Sequence, residues 1–323
     1  MTKAIRIHAV GGPEVMVLED VEIGAPGPGQ ARVRHTAIGV NFIDVYFRTG
    51  AYPAPLPFTP GNEGAGVVEA VGEGVTDIAP GDRVAYAAGL GSYGEARLID
   101  ADRLVKIPDG VSDEQAAAMM LKGMTAQYLL RRTYRVKAGD TVLVHAAAGG
   151  VGLILVQWAK HLGATVIGTV GSPEKGALAR SKGCDHVIDY SKESFPERVA
   201  EITNGAKCQV VYDGVGKATF PGSLDCLAPL GMFASYGSAS GKVEGFDIGL
   251  LAQKGSLFAT RPTLFTYIAK REDLVATAED LFAVVASGAV EIPVNARAPL
   301  ADVADVHRAL EGRKTTGATV LLP

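Results

Sequence analysis

Between Asp140 and Tyr236 the chain alternates apolar runs with helical ones, and this pattern most limits the folds open to it. Residues 141–145, 164–170, 186–188, 209–212 and 231–236 read as strands. Residues 151–162, 173–182, 193–203 and 219–227 read as the helices between them. Strands that are apolar throughout are covered on both faces, and helical crossovers make them parallel. The alternation predicts an α/β fold built on a doubly wound parallel sheet, a Rossmann domain.

The turn after the first of these strands reads Ala147-Ala148-Gly149-Gly150-Val151-Gly152. It keeps the dinucleotide spacing, with Ala147 in place of the first glycine. Gly149 would let the backbone approach a pyrophosphate. Gly152 would let the helix pack on the strand, and the helix start would offer N–H donors, with Gly150 and Val151 at the phosphate. At the end of the second strand, Gly168-Thr169-Val170-Gly171-Ser172 contains no acid to hold a ribose 2′-hydroxyl. Lys175 follows within one turn. A lysine attracts a 2′-phosphate that a carboxylate would repel, so the pattern favours NADPH. Glu174 beside it is the one residue that points the other way if it turns inward.

The first 120 residues have a different texture. Residues 4–10, 31–39, 64–71 and 83–87 are short runs of β-branched and small residues separated by glycine-proline turns. They predict a partly open, mostly antiparallel β-barrel. Ser112 and Gln115 have the spacing of a capping box, so a helix is expected to start there, with Gly123 as a break. Beyond Pro262, helices at 272–287 and 300–311 and strands at 289–294 and 318–322 are too few for a core of their own. They are expected to pack back onto the first domain. The predicted domains are residues 1–123, 124–262 and a return at 263–323.

Composition excludes several functions. A net charge of −4 offers no broad basic surface, so nucleic acid is not expected as a partner. Three scattered cysteines do not make a disulfide framework and fit a reducing compartment. The stretch 142–159 is apolar enough to mimic a membrane span, but three glycines and His145 interrupt it. The start of the chain lacks a signal-peptide core. A cytoplasmic protein without a membrane partner is expected.

Several stretches taken together resemble one family. They are Gly39-Val40-Asn41-Phe42-Ile43-Asp44, Pro60-Gly61-Asn62-Glu63-Gly64-Ala65-Gly66, Gly81-Asp82-Arg83-Val84, Leu121-Lys122-Gly123-Met124-Thr125-Ala126, residues 145–152, and Tyr212-Asp213-Gly214-Val215-Gly216. Over nearly its whole length the chain resembles the zinc-free quinone oxidoreductases, the zeta-crystallin branch of the medium-chain dehydrogenase/reductase superfamily. The resemblance implies a GroES-like catalytic domain interrupted by the Rossmann domain, with the active site in the cleft between them. It implies a homodimer built on edge strands, with residues 255–260 as the candidate strand. It also implies cofactor contacts. Asn41, Phe42, Ile43, Asp44 and Tyr46 would line the nicotinamide, with Tyr128 nearby. Gly171, Ser172, Lys175, Tyr190 and Arg313 would surround the 2′-phosphate. Val215 and Ser238, Ala239, Ser240 and Gly241 would border the ribose and adenine. Thr263, Leu264 and Phe265 would approach the nicotinamide amide.

Zinc-bearing relatives place cysteine where this chain has Asn41 and histidine where it has Asn62. An amide is a poor zinc ligand, and the six histidines show no ligand spacing, so no metal is expected. Without a metal electrophile a simple ketone is a difficult acceptor, whereas a quinone or an enone takes hydride readily. Asn41, Tyr46 and Tyr52 are the candidates for the substrate pocket, through hydrogen bonds or ring stacking. The expected activity is NADPH-dependent quinone reduction. An enone or 2-alkenal double-bond reductase is the alternative on the same fold. An NADPH-linked RNA-binding or crystallin-like structural protein is the alternative of another class.

Overall fold

A computed structural model describes residues 1–323. In chain order the strands and helices of the first part are β1 (Thr2–Ile7), β2 (Met16–Val21), β3 (Gln30–Gly39), α1 (Phe42–Arg48), β4 (Glu63–Val71), β5 (Arg83–Ala87), β6 (Ala96–Asp100), β7 (Val105–Lys106) and α2 (Asp113–Tyr128). The alternating part holds β8 (Thr141–Val144), α3 (Gly150–His161), β9 (Thr165–Val170), α4 (Pro173–Ser181), β10 (His186–Asp189), α5 (Phe195–Ile202), β11 (Cys208–Asp213), α6 (Gly222–Asp225), β12 (Leu227–Ser235), α7 (Gly249–Gln253) and β13 (Phe258–Thr260). The chain ends with α8 (Leu264–Tyr267), α9 (Arg271–Ala286), β14 (Val294–Pro299), α10 (Val303–Glu311) and β15 (Ala318–Leu322).

Two compact units result. One comprises Met1–Met124, Ile268–Phe282 and Ile292–Pro323; the other comprises Thr125–Tyr267 and Ala283–Glu291. The expected division at residue 263 is therefore too simple. Residues 263–267 stay with the second unit, and the end of α9 returns to it. A long helix need not end where a domain does, since its apolar positions can serve two cores in succession.

In the first unit the sheet order is β14-β15-β3-β4-β5-β7, with β6 also on β3. Every pairing is antiparallel except β14 with β15. β1 and β2 form a separate antiparallel pair, and Ile5 N–H donates to the Tyr93 carbonyl at 2.8 Å. The C-terminal return is stitched in by β15 on β3 and by a shared core of Ile5, Ile7, Ile38, Leu300, Val303 and Leu321. The strand expected at 289–294 begins only at Val294. Gly123 does not break α2. It is a glycine because a Cβ there would lie 2.6 Å from the side chain of Leu281. The expected capping box is present: Gln115 N–H donates to Ser112 Oγ, and Ser112 N–H donates to Gln115 Oε1.

The second unit holds six parallel strands in the order β10-β9-β8-β11-β12-β13. The order reverses between β8 and β11, the switch point where such sheets open a crevice at their carboxyl ends. Leu143, Ile167, Ile188, Val211 and Phe233 fill one face. The apolar stretch 142–159 is β8, the glycine turn and most of α3, and no helix is long and apolar enough to cross a membrane. The helix expected at 219–227 shrinks to α6, because Gly222 and Pro221 leave little to propagate it.

Gly66, on β4, faces His35 of β3 beside a shift in register. A Cβ there would fall 2.0 Å from the Arg34 carbonyl oxygen. Backbone cannot yield as a side chain does, so Gly66→Ala is expected to cost about 1–3 kcal/mol, seen as a lower urea midpoint for the first unit.

Candidate active site

In the first unit the polar residues converge around α1. The backbone of Asn41 is extended, and the Asp44 carboxylate reaches back to accept its N–H at 2.8 Å, which starts the helix. Asp44 also accepts from Asn62 Nδ2 at 2.7 Å and from the Tyr93 hydroxyl at 2.8 Å. His307 lies 3.1 Å beyond that hydroxyl. Asp44 was expected to line the nicotinamide; it is instead fully buried, and its oxygens are occupied. Its part in the site is to hold Asn41 and Asn62 in place. Burial raises its pKa to about 6, against the lowering effect of its hydrogen bonds from Asn62, Tyr93 and Asn41.

Glu63, the first residue of β4, is buried beside this cluster. Its Oε1 accepts from Asn41 Nδ2 at 2.8 Å and from Lys122 Nζ at 2.5 Å. Its Oε2 accepts the Leu121 N–H of α2 at 2.7 Å. The carboxylate fits because residue 39 is glycine: a Cβ there would sit 2.3 Å from Oε1. Glu63 and Lys122 were outside the expected site. The signal was present in two of the family-like stretches, but nothing in the sequence joins residues 63 and 122.

The tyrosines named for the pocket lie together. Tyr46 and Tyr52 are half-buried, with ring centroids 5.1 Å apart, and Phe42 packs edge-on to Tyr46 at 5.4 Å. Ile43 is half-buried on the same helix, and Arg313 is exposed in a left-handed turn at φ 56°.

In the second unit the glycine turn forms a cradle. Ala146 takes a left-handed φ of 53°, and its carbonyl accepts the Gly149 N–H at 2.8 Å. That carbonyl would lie 2.2 Å from a Cβ on Gly152 and 3.1 Å from one on Gly149. Gly149 caps α3 with no side chain, so the first-turn N–H groups of Gly150, Val151 and Gly152 lack an intrahelical partner. This twelve-residue helix therefore presents donors and a partial positive charge at the carboxyl end of β8. The residues fit a dinucleotide pyrophosphate.

The end of β9 is equally open. A Cβ at Gly171 would meet the Tyr190 hydroxyl at 2.5 Å, so Tyr190 lies directly against that turn. Ser172 caps α4 by accepting the Lys175 N–H at 3.3 Å, which puts Lys175 in the first turn, partly exposed. Glu174 does not turn inward. It is exposed, and the Ser172 hydroxyl holds its carboxyl below the usual range.

Asp213, at the end of β11, is a turn-organising residue that sequence reasoning passed over. It is fully buried; its Oδ1 accepts the N–H groups of Val215 and Gly216, and its Oδ2 accepts from Thr219 and Ser223. It thereby shapes the turn holding Val215. Ser240 locks a second turn onto the first, accepting the Ala218 N–H and donating to the Val215 carbonyl at 2.8 Å. Ser238, Ala239 and Gly241 complete that turn, with Ala239 and Gly241 exposed. Thr263, just before α8, and Phe265, within it, are exposed, whereas Leu264 is buried. Tyr128, expected near the nicotinamide, is buried and stacked on Tyr267 at 4.3 Å. His145 is a buried bridge between Thr169 and Ser223.

Known proteins resemble this chain in sequence and fold. The alcohol dehydrogenase GroES-like domain matches residues 27–109, and the zinc-binding dehydrogenase family matches residues 150–280. A quinone oxidoreductase of Pseudomonas aeruginosa is 55% identical over 325 residues, covering 100% of both chains. The chain belongs to the quinone oxidoreductase family of the medium-chain dehydrogenase/reductases. A solved Escherichia coli quinone oxidoreductase complexed with NADPH is 47% identical, with a TM-score of 0.98 over 99% of this chain and 100% of that one. A 2-haloacrylate reductase of a Burkholderia species is 49% identical over 100% of this chain and 99% of its own length.

The zinc in the name of one matched family does not suit this quinone oxidoreductase homologue. At the two positions in question, Asn41 and Asn62 both turn their NH₂ groups to carboxylates. No group of three histidine, cysteine, aspartate or glutamate side chains converges anywhere to hold a metal.

The buried histidines set the acid stability of the first unit. Burial, with some help from Arg48, lowers the His307 pKa to about 3, and burial lowers that of His35 to about 4. Both stay neutral in the folded chain while the unfolded chain takes up protons below about pH 6.5. Stability is therefore complete above that pH and falls toward pH 4, with Asp44 opposing in part because its pKa is raised. Urea midpoints are expected to drop between pH 7 and pH 5, and to drop less in His307→Gln.

Proposed function

We propose that this chain is an NADPH:quinone oxidoreductase that passes a hydride to a small quinone or related conjugated carbonyl without a metal. One observation carries the reading: a helix start and a lysine-bearing turn suited to a phosphorylated dinucleotide occur in a chain whose metal-ligand positions hold two carboxylate-bound amides. Its quinone oxidoreductase relatives support it.

Gly149, Gly150, Val151 and Gly152 would hold the pyrophosphate. Ser172, Lys175 and Tyr190 would hold the 2′-phosphate, with Gly171 leaving room and Arg313 adding charge. Val215 and residues 238–241 would border the adenosine ribose. When bound, NADPH supplies the hydride from its nicotinamide ring. Asn41 keeps a second N–H beyond the bond to Glu63. That N–H is the donor we assign to the acceptor oxygen, where negative charge grows. Tyr46 and Tyr52 offer aromatic faces for stacking a planar acceptor and hydroxyls at its edge. Phe42 and Ile43 give the nicotinamide side an apolar lining, and Thr263 and Phe265 are assigned to its amide. A quinone needs no further electrophile, and its second proton is available from water.

A second reading is reduction of an activated carbon–carbon double bond. It is favoured by the 2-haloacrylate reductase at 49% identity. An acceptor panel with NADPH separates the two. Turnover of naphthoquinone well above that of a 2-alkenal or 2-haloacrylate supports the first reading, and the reverse order supports the second. The cofactor assignment predicts a higher kcat/KM for NADPH than for NADH. Lys175→Ala should lower the NADPH value by about tenfold or more and the NADH value by less than about twofold. An NADH preference in the unmodified enzyme would overturn it.

We also infer a homodimer through the second unit. β13 is one of the sheet's two edge strands, and Phe258 on it and Leu230 beside it are 56% and 66% exposed. Sedimentation should give a dimer, and Phe258→Glu should shift it toward monomer.

A further inference from the structure

The chain lacks a metal-ligand set, yet it keeps two buried carboxylates behind the two amides that stand at the metal positions. Asp44 serves Asn62, and Glu63 serves Asn41. Both acids are wholly out of water, and each is felt electrostatically by the other. A buried charge is tolerated only when compensated. For Glu63 the compensating cation is Lys122, itself only 8% exposed at its side chain. Nothing in helix formation asks for a lysine at this point of α2. Its neighbours 116–120 and 124 are fully buried, and a long aliphatic residue would pack there without charge.

We propose that Lys122 is a positioning residue for hydride acceptance, acting through Glu63 to fix the side-chain amide of Asn41 with one N–H turned to the substrate. The logic is that of donor and acceptor. A carboxylate only accepts, so Asn41 must offer it NH₂ rather than oxygen. With one N–H spent on Glu63, the other is aimed away from it in the plane of the amide. Lys122 and the Leu121 N–H complete the shell of Glu63, and Gly39 leaves the space for it. In this chain a fixed ammonium thus acts on the acceptor from two residues away, through Glu63 and Asn41, instead of in contact with it.

The inference rests on the role given to Asn41 above, and four variants separate the two. Asn41→Ala tests the reading itself, and retention of full kcat would sink that assignment. Lys122→Met removes the cation. Glu63→Gln/Lys122→Met removes both charges together, which restores the balance of the core and should return the melting temperature close to that of the unmodified protein. A glutamine can donate as well as accept, so it no longer dictates which way Asn41 points. Lys122→Arg keeps the charge.

Turnover of naphthoquinone and NADPH affinity by fluorescence are measured for each. For Asn41→Ala, Lys122→Met and the double variant, kcat should fall by about tenfold or more while the NADPH dissociation constant stays within about twofold. Acceptor KM should move less than kcat in all three. Lys122→Arg should retain more turnover than Lys122→Met. A double variant that regains both melting temperature and kcat would make Lys122 a packing residue only and overturn the proposal. So would Lys122→Met at full turnover while Asn41→Ala is impaired.

Discussion

Two carboxylates held out of water are the constraint around which the first unit is organised. Asp44 and Glu63 leave the solvent at a cost that only close donors offset. Each acquires at least three: Asn62, Tyr93 and the Asn41 backbone for one, Asn41, Lys122 and the Leu121 backbone for the other. Those donors come from the loop after β3, the approach to β4, the loop before β6 and the middle of α2. Losing one donor leaves a charge stranded, so the set forms or fails together. This fixes the start of α1 and with it the direction of Asn41, Tyr46 and Phe42.

The second unit solves a different problem with backbone alone. A ligand bearing phosphates needs many donors and little bulk. The chain meets that need with a left-handed Ala146, glycines at 149, 150 and 152, and an uncapped helix start. Asp213 plays the part here that Asp44 plays in the first unit. It is buried and saturated, and it shapes a turn it does not itself present to a ligand. In both units a buried acid orients the backbone and side chains around it.

Substituting amides for metal ligands changes what the protein must supply. A metal concentrates charge at a point and binds its own ligands rigidly. Amides carry no net charge and have two orientations, so their direction must be imposed by neighbours. The acids behind Asn41 and Asn62 impose it. Such a site offers directed hydrogen bonds, on which the proposed reduction of an electron-poor acceptor relies.

By itself the sequence determined the α/β alternation, the parallel pairing of the second sheet, the barrel-like texture of the first 120 residues and the glycine turn. These follow from periodicity and from glycine spacing, which are local and survive reading along the chain. It also showed the absence of ligand-type residues at positions 41 and 62. Tertiary structure alone decided that Asp44 faces inward, that Tyr128 lies under Tyr267, and that Glu63 meets Lys122 across 59 positions. It decided as well that α9 is shared between the two units and that Gly123 marks close packing rather than a helix end. The physical reason is the same in each case. Whether a polar side chain faces solvent or a buried partner depends on which groups the folded backbone brings within about 3 Å of it, and no local pattern encodes that distance.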